Sequence, residues 1–298
     1  MKFSASKALS DSFTIFTGRF AAMAPIALIF ALVPLVIFMA FFSNGFAGLQ
    51  QSQAGPAAAL QGILATLGSF SLVFIGYMLV RTLGVCALCI AAAARQPLSL
   101  SLSETISEGL RAMLPMIGVY LLLIAGYVVV VIVFAVTIGL SFVGIFGGAA
   151  GSARAPGIGT AIGAILAVTA VMTAMFYIFT KLSMIIPVIV VDQERSPVKA
   201  NSRSWSLTRG ASFKIFLLLL LIGFGAAIIS GAFNVLSGGA AAFTANSTGT
   251  VTGDVNWLQV AISALLSSIF GMYFIALIVA IHDQLAGPSV AAISNTFE

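Results

Sequence analysis

Six runs of apolar residues, each long enough to cross a lipid bilayer, make up most of this chain. A helix needs about 20 such residues to span a hydrocarbon core of about 30 Å, whereas a transmembrane barrel needs alternating segments of about ten residues. Only 7% of the residues are charged, against about a quarter in soluble domains. We therefore predict an all-α integral membrane protein with six transmembrane helices, at Phe20–Phe42, Gly62–Ala94, Ala112–Val143, Gly157–Val191, Phe213–Leu236 and Trp257–Ile281.

A recurring tyrosine divides the chain into three units of about one hundred residues. Tyr77, Tyr177 and Tyr273 each lie inside an apolar run, and the first two are followed four residues later by a cation, Arg81 and Lys181. A unit of two spans returns the chain to its starting side, so the three units share one orientation, unlike the inverted repeats of many transporters. The sequence predicts a single transmembrane domain over residues 1–298, without a soluble catalytic domain, built as three tandem helical hairpins with pseudo-threefold symmetry at approximately residues 1–96, 97–196 and 197–298.

The 13 lysine and arginine residues are distributed unevenly along the chain. The connections after the first, third and fifth spans, about residues 43–61, 144–156 and 237–256, contain Arg154 alone, and two further cations lie within spans. By the positive-inside rule, the other connections and both termini are predicted to be cytoplasmic. The ten cations on that side are Lys2, Lys7, Arg19, Arg95, Arg111, Arg195, Lys199, Arg203, Arg209 and Lys214.

Each unit begins with a short amphipathic segment that we predict to be a helix on the cytoplasmic membrane surface. In the second unit, Ser101 and Glu104 have the spacing of a capping box. In the third, Ser196 and Pro197 suit a helix start and Gly210 suits a helix end. The three predicted surface helices lie near residues 4–17, 99–110 and 197–209.

The third surface segment has the clearest interfacial pattern. Lys199 and Arg203 share one face at four-residue spacing, and Trp205 lies on another. Basic residues opposite an aromatic residue are typical of a helix that lies at headgroup depth. We predict that Trp205, Lys199 and Arg203 anchor this helix to the inner surface of the membrane.

The same segment resembles the signature of a membrane family. An acidic turn and a Ser-Pro helix start, residues 192–200, precede a Ser-Trp-x-Leu-Thr-x-Gly pattern within residues 202–210. This pattern is similar to that of the glycerophosphoryl diester phosphodiesterase membrane-domain family and its uncharacterised six-span bacterial relatives. The resemblance implies a module of the bacterial cytoplasmic (inner) membrane that handles lipids or their breakdown products. It does not imply phosphodiesterase activity, because the spans take up these 298 residues.

Catalytic chemistry has little support in the sequence. The single histidine, His282, stands beside Asp283, but neighbouring helical residues point about 100° apart, and a hydrolase needs a nucleophile and a base within hydrogen-bonding reach. The pair is more simply interpreted as polar residues that end a span. Cys86 and Cys89 lie deep in an apolar run without a second ligand pair, which favours a packing role. We predict no catalytic residue, no metal site and no cofactor, and therefore no enzyme.

The two cations inside spans are the sharpest functional signal. A cation inside the membrane costs about 2.5–3.5 kcal/mol on insertion scales, so it normally faces a polar interior or a partner. Each shares a helix face with its tyrosine, and the repeat directs both toward one axial region. The sequence predicts a site for an anionic ligand or lipid headgroup. The alternative is that both cations snorkel to the interface or pair with an acidic residue. The residues of this site are Arg81, Lys181, Tyr77, Tyr177, Tyr273 and Asp283.

Two functions follow from these patterns. The first is a non-enzymatic membrane protein that binds or moves a lipid or amphipathic anion within the helical bundle, with anionic membrane lipids as its preferred partners. The alternative is a membrane scaffold that recruits a partner through its Trp205 helix and transports nothing. Nucleic acid is not an expected partner, because no cation cluster accompanies a recognisable binding motif.

Overall fold

The computed structural model of the protein describes residues 3–34, 56–93, 101–146, 166, 169, 173–236 and 257–287. These residues are helical apart from short turns and ends, and no strand occurs among them. A five-residue π-helical turn, Leu28–Leu32, follows the first helix. In chain order the helices are α1 (Ala5–Ala27), α2 (Pro56–Ala92), α3 (Leu102–Phe146), α4 (173–182), α5 (Ile185–Val190), α6 (Pro197–Leu207), α7 (Ser212–Leu236) and α8 (Trp257–Ala286).

Among the described residues, six helical segments are long and apolar enough to cross a membrane, which agrees with the predicted number of spans. The chain is therefore a multi-pass membrane protein. The connections predicted at residues 43–61, 144–156 and 237–256 lie mostly outside the described residues. The six segments are Ala5–Phe30, Val73–Ala92, Leu102–Gly126, Thr173–Val190, Ser212–Phe233 and Ala261–Ala286.

The three predicted surface helices differ in form. Only α6 is a separate helix, because the chain turns at Gly210, whose φ of +86° lies in the left-handed region that glycine adopts most readily. Residues 4–17 and 99–110 instead belong largely to α1 and α3 and continue into the spans. None of their described residues, 4–17 and 101–110, has a left-handed conformation that would turn the chain away from the span. Whether any of the three lies along a membrane surface stays a prediction.

The predicted capping box is present at the start of α3. The Glu104 carboxylate accepts hydrogen bonds from the backbone N–H and the hydroxyl of Ser101, at 2.8 and 2.9 Å. The Ser101 hydroxyl accepts in turn from the N–H of Glu104 at 3.3 Å. These bonds satisfy backbone donors that the first helical turn leaves unpaired.

A proline interrupts the fourth span. Pro187 has no N–H, and its ring collides with the carbonyl four residues earlier in a regular helix, that of Ser183. The structure turns at Ser183 and Met184, and α5 begins directly afterwards with Pro187 in its first turn. The span predicted at Gly157–Val191 is therefore broken at a point that the prediction did not include.

The last span, α8, is the central helix of the bundle. It packs against α1, α2, α5 and α7, and its largest contact is with α1, so the first and last spans meet. Over an 18-residue apolar stretch of each helix, 56% of the residues are buried in α8 and 17% in α7. Among the described spans, α7 is therefore the one most open to lipid. The arrangement of the spans as three equivalent hairpins stays a prediction.

Several polar ends meet on one side of the bundle. The guanidinium of Arg19 on α1 donates to the carbonyls of Ala91 and Ala93 at the end of α2, at 3.1 and 2.8 Å. The loop after α5 reaches the end of α8, where Asp192 contacts His282. We call this side the basic end, because it also carries Arg111, Arg195, Arg203 and Arg209.

Candidate functional site

Lys181 lies beneath two aromatic rings at the end of α4. The residue is only 3% exposed, and its Nζ lies 5.5 Å from the ring centroids of both Tyr177 and Trp205. The two rings meet edge to face, with centroids 5.8 Å apart. Because Tyr177 and Trp205 are themselves 50% and 42% exposed, Lys181 lies one ring's depth below the bundle surface. This position differs from the axial one expected from the repeat.

The break in the fourth span positions this site. Lys181 lies just before the break, so its carbonyl is left without the N–H that a continuous helix would supply. The hydroxyl of Ser204 on α6 donates to that carbonyl at 2.7 Å, and Ser204 is fully buried. This hydrogen bond holds α6 against α4 and places Trp205, the next residue, over the Lys181 side chain.

The charge around Lys181 is positive. Arg209, in the turn after α6, is near enough to repel the Lys181 ammonium. Among the residues that the structure describes, no carboxylate forms an ion pair with Lys181. Two cations close to half-exposed aromatic rings form a surface that suits an anion with an apolar part.

The three residues predicted to anchor α6 have different surroundings. Trp205 covers Lys181 while remaining 42% exposed, and Lys199 is exposed. Arg203 instead forms an ion pair, with its Nε 2.7 Å from Oδ2 of Asp192. The Arg203 side chain is still half-exposed, so its guanidinium contacts the protein through Nε while the rest of the group remains partly accessible.

Tyr273, the tyrosine of the third unit, contacts α1 rather than Lys181. Its hydroxyl is hydrogen-bonded to Ser12 at 3.2 Å, and its ring lies edge to face with Phe16 at 5.8 Å. Leu277, one turn later, is fully buried in an apolar cluster with Met184 and Ile215. The structure therefore places Tyr273 in a packing contact between the first and last spans.

The first-unit pair of the predicted site, Tyr77 and Arg81, lies on α2. Both residues are partly exposed. Arg81 forms no ion pair with a described residue. Of the six predicted site residues, the structure brings together Lys181 and Tyr177.

A buried ionic cluster, which the sequence analysis missed, joins the loop after α5 to the end of α8. His282 is fully buried, and its Nε2 lies 3.2 Å from Oδ2 of Asp192. A carboxylate can only accept, so Nε2 carries the proton. Asp283, predicted as a ligand residue, lies on the other side of this ring, with Oδ1 3.7 Å from Nδ1. The acidic turn at residue 192 and the lone histidine were both visible in the sequence, but nothing in it indicated that they meet.

Opposing effects act on the pKa of Asp192. Burial alone would raise the pKa of this carboxyl. The hydrogen bonds and positive charges of His282 and Arg203 outweigh that effect and hold the pKa of Asp192 below its usual value of 3.8. The carboxylate is therefore charged at neutral pH and bridges the His282 ring and the Arg203 guanidinium.

This cluster has the features of a structural contact. A general base must lie within hydrogen-bonding reach of its substrate, yet the ring of His282 is fully buried. Its Nε2 is hydrogen-bonded to Asp192, and its Nδ1, which has no hydrogen-bond partner among the described residues, lies 3.7 Å from the Asp283 carboxylate. Cys86 and Cys89 are free thiols buried in an apolar cluster of the described helices, a position that suits a packing role.

The comparison with protein families agrees with the resemblance seen in the sequence. The sequence model for the membrane domain of glycerophosphoryl diester phosphodiesterase matches residues 158–289. The match covers the described helices from α4 to α8, and with them the Lys181 site and the Asp192 turn. No curated protein and no solved structure matches the chain. The resemblance predicted from the sequence is thereby confirmed: residues 158–289 are similar to the membrane domain of glycerophosphoryl diester phosphodiesterase.

Proposed function

We propose that this protein is a non-enzymatic membrane protein that binds an anionic lipid headgroup at Lys181. The observation that carries the proposal is the buried ammonium between Tyr177 and Trp205, with a second cation, Arg209, nearby. The rings are half-exposed and offer an apolar surface to the first methylene groups of a lipid. The ammonium supplies the charge that a phosphate or carboxylate requires.

The two rings stabilise the buried cation, but they leave the N–H donors of its ammonium group available for hydrogen bonds. Each cation–π contact contributes about 0.5–2 kcal/mol, which offsets much of the insertion cost of about 2.5–3.5 kcal/mol. An ammonium also has three N–H donors, and an aromatic face is a weak acceptor for them. A phosphate oxygen would accept a charge-assisted hydrogen bond that neither ring provides.

The orientation of the protein is part of the proposal. The excess of lysine and arginine at the basic end supports a cytoplasmic location for that end and for both termini. In a bacterial inner membrane the Lys181 site would then face the leaflet in which anionic headgroups create a negative surface potential. The burial of His282 between two carboxylates supports the non-enzymatic part of the proposal.

Trp205 makes the proposal testable by fluorescence, because it is one of only two tryptophans. In a Trp257→Phe background it becomes the sole tryptophan. We would reconstitute this protein in phosphatidylcholine nanodiscs and add phosphatidylglycerol with brominated acyl chains, which quench tryptophan on contact. We expect brominated phosphatidylglycerol to quench Trp205 more strongly than brominated phosphatidylcholine, and Lys181→Leu to abolish that difference.

Two control variants separate the site from general surface charge. Lys7→Leu removes one exposed cation from α1, away from the two rings, and should leave the preference for phosphatidylglycerol intact. Lys181→Arg should retain part of it, because charge survives while the shape of the donor changes. An undiminished preference for the anionic lipid in Lys181→Leu would rule out this binding site.

One observation favours a second function, that of a scaffold. The outer face of α6 exposes apolar side chains, with Val198 67% and Trp205 42% exposed. If this face only attaches α6 to the membrane or to a partner, Trp205→Ala should loosen α6 far more than Lys199→Ala. Hydrogen exchange of α6 in nanodiscs measures that difference. Equal protection of α6 in the two variants would count against the scaffold.

A further inference from the structure

A second polar site lies at the basic end and shares no residue with the Lys181 site. It is a shallow cleft lined by Glu108 and Arg111 of α3 and by Gln193 and Arg195 of the loop after α5. Apolar side chains of α2, α3 and α5 form its walls. We propose that this cleft binds a phosphoryl group between the two guanidinium groups, as free phosphate or as the phosphate of a lipid headgroup.

The loop that carries Arg195 is held in place by its backbone. The N–H groups of Val191 and Glu194 donate back to carbonyls of α5, those of Pro187 and Val188, at 2.6 and 3.3 Å. Between them, Gln193 has a φ of +55°, a left-handed conformation that is uncommon for residues other than glycine and turns the chain sharply. The position of Arg195 thus follows from the end of α5.

A close approach to α3 fixes the far end of the loop. A Cβ at Gly118 would lie 2.5 Å from Cγ of Pro197, so only glycine lets α3 come this near to the start of α6. This contact holds the loop against the helix that carries Arg111. The two guanidinium groups are therefore brought to one cleft by the fold.

The charges in the cleft favour an anion. Arg111 is paired with Glu108 at 2.7 Å, and both side chains are substantially exposed, at 65% and 39%. Arg195 has no ion-pair partner within the part of the chain that the structure describes. Two positive groups and one negative group leave one net positive charge. A planar guanidinium presents paired N–H donors that match two oxygens of a phosphoryl group.

The depth of the cleft indicates where its occupant comes from. Arg111 directly precedes the apolar run that begins at Ala112, and the apolar walls include Pro115 and Ile189. The span predicted from the sequence begins at Ala112, and that boundary would place the guanidinium groups where a bilayer changes from headgroups to acyl chains, a position that both a lipid phosphate and soluble phosphate can reach. The proposal does not depend on the Lys181 site.

The test uses the full chain in maltoside detergent, which contains no phosphate of its own. Equilibrium dialysis with radiolabelled inorganic phosphate gives the affinity. We expect Arg195→Gln to weaken binding at least about tenfold, which corresponds to the loss of one charge-assisted hydrogen bond. Glu108→Gln should tighten binding, because Arg111 is then released from its carboxylate partner. A purely structural role for Glu108 would not produce a gain.

Matched variants and a competitor complete the experiment. Arg203→Gln removes an arginine from the same end outside the cleft and should not change phosphate binding. All variants are compared in a Lys181→Leu background, which removes the other proposed anion site, so the binding measured is that of the cleft. If added phosphatidic acid displaces the bound phosphate, the occupant is a lipid headgroup. If phosphatidic acid does not displace it, the occupant is soluble phosphate. Equal binding by Arg195→Gln and Arg203→Gln, or no binding by the unmodified protein, would overturn the proposal.

Discussion

Tyr177 in the second unit and Tyr273 in the third take part in similar contacts. Tyr177 meets Trp205 at a centroid distance of 5.8 Å and an interplanar angle of 85°, and Tyr273 meets Phe16 at 5.8 Å and 81°. In both cases the partner ring belongs to a predicted surface segment of another unit. The edge-to-face contact of the tyrosine therefore packs one unit against another. A tyrosine at this position does not by itself indicate a ligand site.

The residue one turn later distinguishes the two regions. Leu277 follows Tyr273 and is fully buried among apolar side chains, whereas Lys181 follows Tyr177 and lies under two half-exposed rings. The third unit shows that the ring contact forms without a cation at this position. The ring contact therefore does not require an ammonium, which is the reason we propose a binding role for Lys181.

Placing a cation in the third unit should have the largest effect. Leu277→Lys would put an unpaired ammonium into the most buried helix, and we expect a loss of about 3–5 kcal/mol, the size of an uncompensated buried charge. Thermal unfolding in detergent measures it. Leu277→Met, which conserves volume, should cost less than about 1.5 kcal/mol. A well-tolerated lysine at residue 277 would show that the two regions are interchangeable.

The sequence identified the spans because apolar length alone determines whether a helix can cross a bilayer. It also located the cap at Ser101, the start of α6 at Pro197 and the turn at Gly210, since these depend on neighbouring residues. The break before α5 could have been predicted from Pro187, whose effect on the preceding carbonyl is local.

The site was only partly predictable, because its contacts join distant parts of the chain. Lys181 and Tyr177 lie one turn apart and were paired correctly, but Trp205 reaches them from another helix. The contact between Asp192 and His282 spans ninety residues. The contact of Tyr273 with Ser12 and Phe16 on α1 likewise joins residues more than 250 positions apart, which the spacing of the tyrosines does not show.

The buried ion pair near α8 should produce the next largest effect. Asp192→Asn removes the carboxylate that accepts the hydrogen bond from Nε2 of His282, and we expect a loss of about 1.5–3 kcal/mol, the range for hydrogen bonds to charged groups. The folded-state pKa of Asp192 is lowered, so its stabilisation is present above the unfolded pKa and is lost as the pH falls through the folded value, below about 4. Acid titration of the melting temperature should therefore be flatter in Asp192→Asn than in the unmodified protein. Parallel curves would contradict this assignment.

Removing the hydroxyls of Tyr273 and Tyr177 should reduce stability by smaller amounts, and the loss should be larger for Tyr273. Tyr273→Phe loses the hydrogen bond to Ser12, which we expect to cost about 1 kcal/mol. Tyr177→Phe keeps the ring over Lys181, and with half of the residue exposed we expect a change within about 0.5 kcal/mol. Unfolding of both variants under the same detergent conditions provides the comparison. A larger loss for Tyr177→Phe would mean that its hydroxyl has a structural role.

We expect Lys181→Leu to have the smallest effect on stability and the largest effect on lipid binding. Lys181→Leu gives the second unit the residue that the third unit has at the matching place. It removes two cation–π contacts of about 0.5–2 kcal/mol each but also removes an insertion cost of about 2.5–3.5 kcal/mol. These terms nearly cancel, so the melting temperature should shift by the equivalent of about 1 kcal/mol or less, while the preference of Trp205 for brominated phosphatidylglycerol disappears. A loss of stability as large as that of Leu277→Lys would mean that the fold itself needs this ammonium. Lys181 would then be a cation that stabilises the fold through its contacts with the two rings. The second and third units would then differ only in how their side chains pack at this position.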